Sequence, residues 1–179
     1  RELGIPLDTA KRGIEGLTQI RGRVEKVDEG QNFTVIVDYA HTDDSLRKLY
    51  ETFSSSRKIA VLGSTGGGRD SWKRPVLGKI ADEYCDEILI TNEDPYDEDP
   101  SKIIAEVASG VTTHTPHIIV DRREAIAKAL SLARINDTVL ITGKGTDPYI
   151  MGPHGTKEVW DDAQVVREEL KKLGIGLRG

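Results

Sequence analysis

The sequence has little of several features that would assign it to particular protein classes. Among its 179 residues Cys85 is the only cysteine, so no disulfide forms within the chain, which favours a cytoplasmic protein. No apolar run approaches the roughly 20 residues that cross a bilayer, and no basic-then-apolar signal segment is present, so no membrane attachment is expected. The net charge of −5, without any dense basic run, argues against a nucleic-acid partner.

What is present is a regular alternation of strand-like and helix-like segments. Aromatic residues are only 5% of the chain, so the core is expected to be mainly Ile, Val, Leu and Ala. Predicted strands cover residues 24–27, 33–38, 58–63, 87–91, 117–120 and 138–142, and predicted helices cover 42–53, 75–84, 99–110, 125–133 and 161–173. This alternation predicts an α/β fold: an open, mostly parallel sheet with helices on both faces and an antiparallel edge at the first two strands.

Ligands of such sheets bind beyond the carboxyl ends of the strands. The segments at that position are rich in charge, glycine or proline: "DYAHTDD", "GSTGGGRDSWKRP", "TNEDPYDEDP", "DRRE" and "TGKGTDPY". The sequence therefore predicts a polar site along one rim of the sheet.

The loop "GSTGGGRD" is similar to a nucleotide-binding loop at first sight. It departs from a Walker A loop because Arg69, not lysine, follows Gly68, and it lacks the second glycine of the dinucleotide pattern. A phosphate site is therefore only weakly indicated, and the glycines also suit a sharp turn that binds nothing. The planar guanidinium of Arg69 suits a carboxylate or a phosphate, unless it pairs with the neighbouring Asp70.

Three other rim segments leave alternatives open. The acids from Glu93 to Asp99 form either a solvated loop or a site for a cationic amine, and a transition metal is less favoured because no histidine lies among them. "GKGT" is either a structural turn or a ligand loop. In "VDYAH", Asp38 suits the hydroxyls of a ribose, and His41 suits a phosphate or a helix cap.

Taken together and in order, six stretches resemble the C-terminal domain of the Mur ligases, in particular of those that add the third residue of the peptidoglycan peptide. They are "GLTQIRGRVEKV", "VDYAHTDDSL", "RDSWKRP", "TNEDPYDEDP", "IIVDRREAI" and "LITGKGTDPY". The resemblance covers roughly residues 16–149. It implies that residues 23–179 are this Rossmann-like domain and that residues 1–22 are a remnant of the central ATP-binding domain or a linker.

The resemblance also implies an activity and its partners. The full enzyme would be a cytoplasmic, monomeric carbon–nitrogen ligase that joins a free amino acid to UDP-MurNAc-L-Ala-D-Glu through an acyl phosphate. ATP and Mg²⁺ would be bound mainly by the central domain, so this chain alone would be inactive. Its partners would be the two substrates and the N-terminal and central domains of the same enzyme, with no metal ligand or catalytic residue in this chain.

Individual residues take expected roles from the family's motifs. Arg69 lies where the family grips the carboxylate of the incoming amino acid. The family's Asp-Asn-Pro-Arg motif and the first and last residues of its Gly-Lys-Gly-His-Glu motif match six further amino-acid-binding residues: Glu93, Asp94, Pro95, Tyr96, Gly143 and Asp147. Four residues match positions that approach the nucleotide: Arg23, Asp38, Tyr39 and His41.

Two departures from the family pattern bear on the substrate. Diaminopimelate-adding members use the arginine of the first motif to hold the distal carboxylate, and Tyr96 replaces it here. The acids Glu93, Asp94 and Asp147 favour a distal ammonium, which predicts L-lysine or a similar diamine over meso-diaminopimelate. Thr146 and Asp147 stand where the family has His and Glu, which reshapes the pocket.

Two alternatives remain from the sequence. One is a different amide ligase on the same scaffold, of the folylpolyglutamate or cyanophycin synthetase type. The acidic "NEDP" segment suits that less well because a glutamate substrate needs more cationic contacts. The other is a nucleotide- or amino-acid-binding module without catalysis.

Overall fold

A six-stranded sheet forms the centre of the computed structural model, which describes residues 4–16, 19–68 and 70–174. The spatial order is β1-β2-β6-β3-β4-β5, with β1 antiparallel to β2 and the other neighbours parallel. This confirms the predicted mostly parallel sheet and its antiparallel edge. The strands are β1 (Glu25–Lys26), β2 (Thr34–Asp38), β3 (Lys58–Leu62), β4 (Glu87–Ile90), β5 (His117–Ile118) and β6 (Thr138–Thr142).

Helices cover both faces of the sheet. The described helices are α1 (Leu7–Glu15), α2 (Asp43–Thr52), α3 (Lys73–Tyr84), α4 (Pro100–Ala108), α5 (Arg122–Leu132) and α6 (Asp162–Lys172), and none is long and apolar enough to cross a membrane. Ala60 and Leu140 belong to the apolar cluster under α2, α3 and α4, whereas Val61 and Val139 belong to the one under α5 and α6. Because both faces are covered, the central strands are apolar on both sides.

The helix starts differ slightly from the predicted ones for local reasons. The carboxylate of Asp121 accepts the backbone N–H of Glu124, so α5 begins at Arg122, three residues before the predicted start. Helix α3 begins at Lys73, and Pro75 falls within its first turn, where a missing N–H breaks no helical hydrogen bond.

A hairpin after the last parallel strand was not predicted. Strands β7 (Tyr149–Met151) and β8 (Lys157–Val159) pair in antiparallel fashion around a 3₁₀ turn at Pro153–Gly155. Each strand has three residues, too few for an alternating pattern to stand out. The hairpin matters because the carbonyl of Met151 accepts the backbone N–H of Tyr96, 3.0 Å away, which joins it to the rim of the sheet.

Helix α1 stands apart from this packing. It buries none of its residues, and its apolar residues Leu7 and Ile14 are 84% and 76% exposed. The predicted boundary between residues 22 and 23 stays a prediction.

A buried ion pair fixes the carboxyl rim from below. Arg122 and Asp162 are at most 2% exposed, and the guanidinium donates to both oxygens of the carboxylate at 2.9 and 2.8 Å. The same guanidinium donates to the carbonyls of Asn92 and Thr142, the residues at the ends of β4 and β6. One side chain therefore holds two strand ends and the start of α6 in register.

At the opposite rim, Asp82 of α3 organises the connection that leads into β5. Its carboxylate accepts the backbone N–H groups of Thr112, Thr113 and His114 at 2.8 to 2.9 Å, and it also contacts the ring nitrogen Nδ1 of His114. Burial raises the pKa of Asp82, but these hydrogen bonds outweigh it and hold the pKa well below its usual range.

We predict that Asp82→Asn lowers the free energy of unfolding by about 2 kcal/mol at pH 7, because hydrogen bonds to a charged acceptor are lost. A carboxyl group with a lowered native pKa stabilises the fold above its unfolded pKa of about 4. The difference in the free energy of unfolding between the variant and the parent should therefore become smaller as the pH falls below about 4. Urea unfolding from pH 7 to pH 3 measures this.

The exposed Asp44, which pairs with Lys48 on α2, offers a matched control. Asp44→Asn should change the free energy of unfolding by less than about 0.5 kcal/mol. An Asp82→Asn deficit that stayed constant down to pH 3 would contradict the assigned role.

Candidate functional site

The carboxyl ends of β2, β3, β4 and β6 surround a polar cleft of about 320 Å³. Of the predicted site residues, seven line it: Tyr39, His41, Glu93, Asp94, Tyr96, Gly143 and Asp147. Asp38 and Pro95 adjoin lining residues in the chain, and Arg23 contacts the Tyr39 ring. Arg69 lies outside the described residues, although the adjacent Asp70 lines the cleft.

A buried lysine pairs with one of the acids that line the cleft. Lys144 is 1% exposed, and its Nζ donates to both carboxylate oxygens of Asp94, at 2.8 and 2.7 Å. Oδ1 of Asp94 also accepts the backbone N–H of Met151 at 2.8 Å. The sequence analysis counted Asp94 among the acids free to receive a substrate ammonium, and this needs correction because its charge is already neutralised by Lys144.

Glu93 is the second buried carboxylate of the cleft. Its Oε1 accepts the hydroxyl of Thr65 at 3.0 Å. Burial raises the pKa of Glu93, and the positive charge of Arg122 opposes that shift. Gly143 has a φ of +105°, and a Cβ there would lie 2.2 Å from Oε2 of Glu93, so only glycine fits beside this carboxylate.

Asp147 is the more accessible acid. Its side chain is 43% exposed, and its Oδ2 lies 3.6 Å from Nζ of Lys144, beyond hydrogen-bond distance. Asp70, in contrast, lies 2.6 Å from the ammonium of Lys73 on the same rim. Among the described acids that line the cleft, Glu93 and Asp147 are therefore the two without a cation within hydrogen-bond distance.

Tyr96 stands in a strained position at the edge of the cleft. Its φ is +51°, in the left-handed region that a bulky residue rarely adopts. Its ring packs on Gly67, where a Cβ would lie 3.6 Å from Cδ2 of the ring. Such conformations concentrate at functional sites, where surrounding contacts hold them.

The glycine loop, residues 63–68, resolves one alternative that the sequence left open. A Cβ on Gly66 would lie 2.1 Å from the carbonyl oxygen of Pro95, and one on Gly63 would lie 2.7 Å from that of Thr91. Two of its glycines thus allow the loops after β3 and β4 to approach each other closely. Close packing of these loops accounts for the glycines there without a phosphate.

Three of the four residues predicted to approach a nucleotide form a stack, and two of them, Tyr39 and His41, line the cleft. The guanidinium of Arg23 lies 4.5 Å from the ring centroid of Tyr39, which contacts the ring of His41 edge-on at 4.7 Å. Burial and the charge of Asp147 raise the pKa of Tyr39, so its hydroxyl stays neutral. Asp38 has a structural function here, since its oxygens accept the N–H groups of Val24 and Ala40.

The sequence analysis missed Lys144 and six of the residues that line the cleft, which are Gly63, Ser64, Thr65, Asp70, Lys73 and Leu77. Lys144 stands inside the quoted "GKG", but its pairing with Asp94 depends on a fold that brings residues 50 positions apart together. Thr65 stands in the glycine loop without any motif of its own.

We predict that Lys144→Met lowers the free energy of unfolding by about 3–5 kcal/mol, because it leaves the Asp94 carboxylate buried without its counter-ion. Adding Asp94→Asn should recover more than half of that loss. Urea unfolding of the single and double variants measures both effects. Lys102→Met, at a lysine with a 68% exposed side chain, is the control and should have little effect. Equal losses in the single and double variants would contradict this account.

Comparison with known proteins agrees with the geometry. A family model described as "Mur ligase, glutamate ligase domain" matches residues 22–145. A UDP-N-acetylmuramyl-tripeptide synthetase from Roseiflexus sp. (strain RS-1) is 42% identical over 183 residues, which cover 97% of this chain and 35% of that protein. A UDP-N-acetylmuramoyl-L-alanyl-D-glutamate--2,6-diaminopimelate ligase from Syntrophomonas wolfei is 44% identical over 171 residues, 92% of this chain and 34% of that protein.

Solved structures show the same relationship. A UDP-N-acetylmuramoyl-L-alanyl-D-glutamate--2,6-diaminopimelate ligase superposes with a TM-score of 0.79 at 31% identity, over 97% of this chain and 36% of that one. A bifunctional folylpolyglutamate synthase/dihydrofolate synthase from Yersinia pestis CO92 gives a TM-score of 0.59 at 17% identity, over 97% and 36%, which shows a common fold only.

The chain spans about a third of the length of these relatives. The family match covers more than half of the chain and includes the strands that build the cleft, so the resemblance and the Rossmann-like fold inferred from the sequence are confirmed. The chain belongs to the Mur ligase family, and its residues 22–145 match that family's glutamate ligase domain.

Proposed function

We propose that this chain is the amino-acid-binding domain of an ATP-dependent ligase that adds the third residue to UDP-MurNAc-L-Ala-D-Glu. The observation that carries the proposal is the acid-lined cleft at the carboxyl rim, where seven of the residues matched to family motifs converge. Relatives that bear the names of such ligases align over almost the whole chain, which supports the same chemistry here.

We propose L-lysine or a similar diamine as the incoming amino acid. Glu93 and Asp147 carry negative charge that no neighbouring cation fully neutralises, which favours a distal ammonium. Tyr96 offers no positive charge to a distal carboxylate. Several relatives are named as diaminopimelate ligases, so the proposal depends on Tyr96 and not on overall similarity.

The proposed contribution of the chain to the reaction is positioning. The acyl phosphate would form outside this domain, and the α-amino group of the bound amino acid would attack it. Arg69 would hold the α-carboxylate, and Glu93 and Asp147 the far nitrogen. Two anchored ends fix the direction of the amine, which lowers the entropic cost of the bimolecular step.

Nucleotide contacts are a second part of the proposal. The stacked side chains of Arg23, Tyr39 and His41 offer a cation and an aromatic edge toward ATP bound by the missing part of the protein. Among residues 4–16, 19–68 and 70–174, no group of three or more His, Cys, Asp or Glu side chains is placed to hold a metal ion. We propose that Mg²⁺ is held elsewhere in the full protein.

The monomeric state and the cytoplasmic location stay predictions.

A glutamate-adding ligase of the folylpolyglutamate type is less well supported. Its substrate would bring a second carboxylate toward Glu93 and Asp147, where like charges repel. An upstream G-x-x-x-x-G-K-[ST] segment in the native gene would support a ligase over a binding module without catalysis.

We predict that Tyr96→Arg in the full-length enzyme raises kcat/KM for meso-diaminopimelate relative to L-lysine by about tenfold or more, because a guanidinium can pair with the distal carboxylate. Parallel ligation assays with lysine, ornithine and diaminopimelate measure the ratio. Tyr96→Phe keeps the ring and adds no charge, so it should leave the ratio unchanged. An unchanged ratio in the arginine variant would count against this pocket assignment.

We also predict that Arg69→Ala in the full-length enzyme raises KM for the amino acid about ten- to hundredfold, since a charge-assisted hydrogen bond is lost. KM for ATP should stay close to that of the parent. Arg47→Ala removes an arginine that pairs with Glu83 at the opposite rim and serves as the control. Unchanged kinetics for Arg69→Ala would remove Arg69 from the site.

A further inference from the structure

The glycine loop needs external contacts to keep its shape. Gly67 and Gly68 have φ values of +76° and +71°, and glycines bring no side chains to hold a conformation. In the described part of the chain, four hydrogen bonds attach the loop to other segments. They are Gly66 N–H to the Asp94 carbonyl, Thr65 Oγ1 to Glu93, Gly68 N–H to Glu98, and Arg74 to the Thr65 carbonyl.

Two of these four contacts come from one ion-pair cluster around the buried Arg74. Arg74 in the first turn of α3 is 1% exposed, and its Nη2 lies 3.0 Å from Oε2 of Glu98 and 3.2 Å from the Thr65 carbonyl. Oε1 of Glu98 accepts the N–H of Gly68. The cluster therefore holds the loop near both of its ends.

Glu98 is not needed merely to neutralise Arg74. Glu106 of α4 already provides a carboxylate 2.6 Å from Nη1 of the same guanidinium. One arginine thus faces two carboxylates, and the second, Glu98, is also the one that reaches the glycine loop. We therefore attribute to Glu98 the function of holding the glycine loop.

We propose that Glu98 is a positioning residue for the amino-acid site, which holds the glycine loop against Tyr96 through the amide of Gly68. The inference rests on the proposed function. Ser64 and Thr65 of this loop line the cleft, and the ring of Tyr96 packs on Gly67. Arg69 follows Gly68 directly in the sequence. Release of the Gly68 amide therefore alters the wall that meets the substrate, without removing any group that touches it.

Two variants of the full-length ligase test this. Glu98→Asp keeps the charge that faces Arg74 but is one methylene too short to reach Gly68, and Glu98→Gln keeps the length but removes the charge. Both should speed hydrogen exchange of the loop amides about tenfold or more. Both should raise KM for lysine about tenfold, with kcat and KM for ATP within about twofold of the parent.

Glu83→Gln is the matched control, because Glu83 also pairs with an arginine, Arg47 at 2.9 Å, but at the opposite rim. Glu83→Gln should change neither the hydrogen exchange of the loop amides nor the KM for lysine. A general loss of folding would lower the active fraction without the selective rise in KM for the amino acid.

The outcomes separate this inference from the proposed function. Unchanged loop exchange in both Glu98 variants would overturn the inference whatever the kinetics. Faster exchange with an unchanged KM for lysine, in an active parent enzyme, would also overturn it. A parent enzyme that ligates no amino acid would overturn the proposed function and the substrate part of the inference. The exchange result would then still show whether Glu98 holds the loop.

Discussion

The buried pair between Lys144 and Asp94 is the constraint on which the rest of the cleft depends. Its two members come from the loops after β6 and β4, and Asp94 also accepts the backbone N–H of Met151 in the hairpin. Three segments that are far apart in the chain are thereby fixed at one point. A buried charge is tolerated only when it is paired, so the pair holds these segments together more specifically than apolar contacts would.

Close backbone approach is the second constraint, and it explains the glycines better than ligand binding does. Gly63 and Gly66 let the loop after β3 lie directly on the loop after β4, and Gly143 leaves space for the Glu93 carboxylate. The Gly66 contact is with the carbonyl of Pro95, and Gly67 packs on the ring of Tyr96, whose backbone is left-handed. Glycines therefore pack closely around the residue that the family resemblance links to substrate choice.

The sequence was sufficient for the sheet, its antiparallel edge and the rim that bears the cleft, because these follow from apolar runs and from the rule for parallel strands. The family resemblance pointed to residues such as Glu93 and Asp147 before any geometry was known. The hairpin at Tyr149–Met151 and Lys157–Val159 was not predicted because each of its strands has only three residues. The pairing of Asp94 with Lys144 was not predicted, because the two residues are 50 positions apart and their contact depends on the folded positions of both side chains.

The charge of the cleft depends on how its acids are coupled. Asp94 is neutralised by Lys144, and Asp70 lies close to Lys73, so Glu93 and Asp147 remain to attract a cation. Burial raises the pKa of Glu93, which makes its ionised form less favourable. An ammonium that enters would stabilise the ionised form of Glu93, and by linkage the ionised carboxylate would bind the ammonium more tightly. A second carboxylate on the substrate would have the reverse effect and raise that pKa further. Under the proposed function, the protonation of this one buried side chain would favour a distal ammonium over a distal carboxylate, in addition to direct contact.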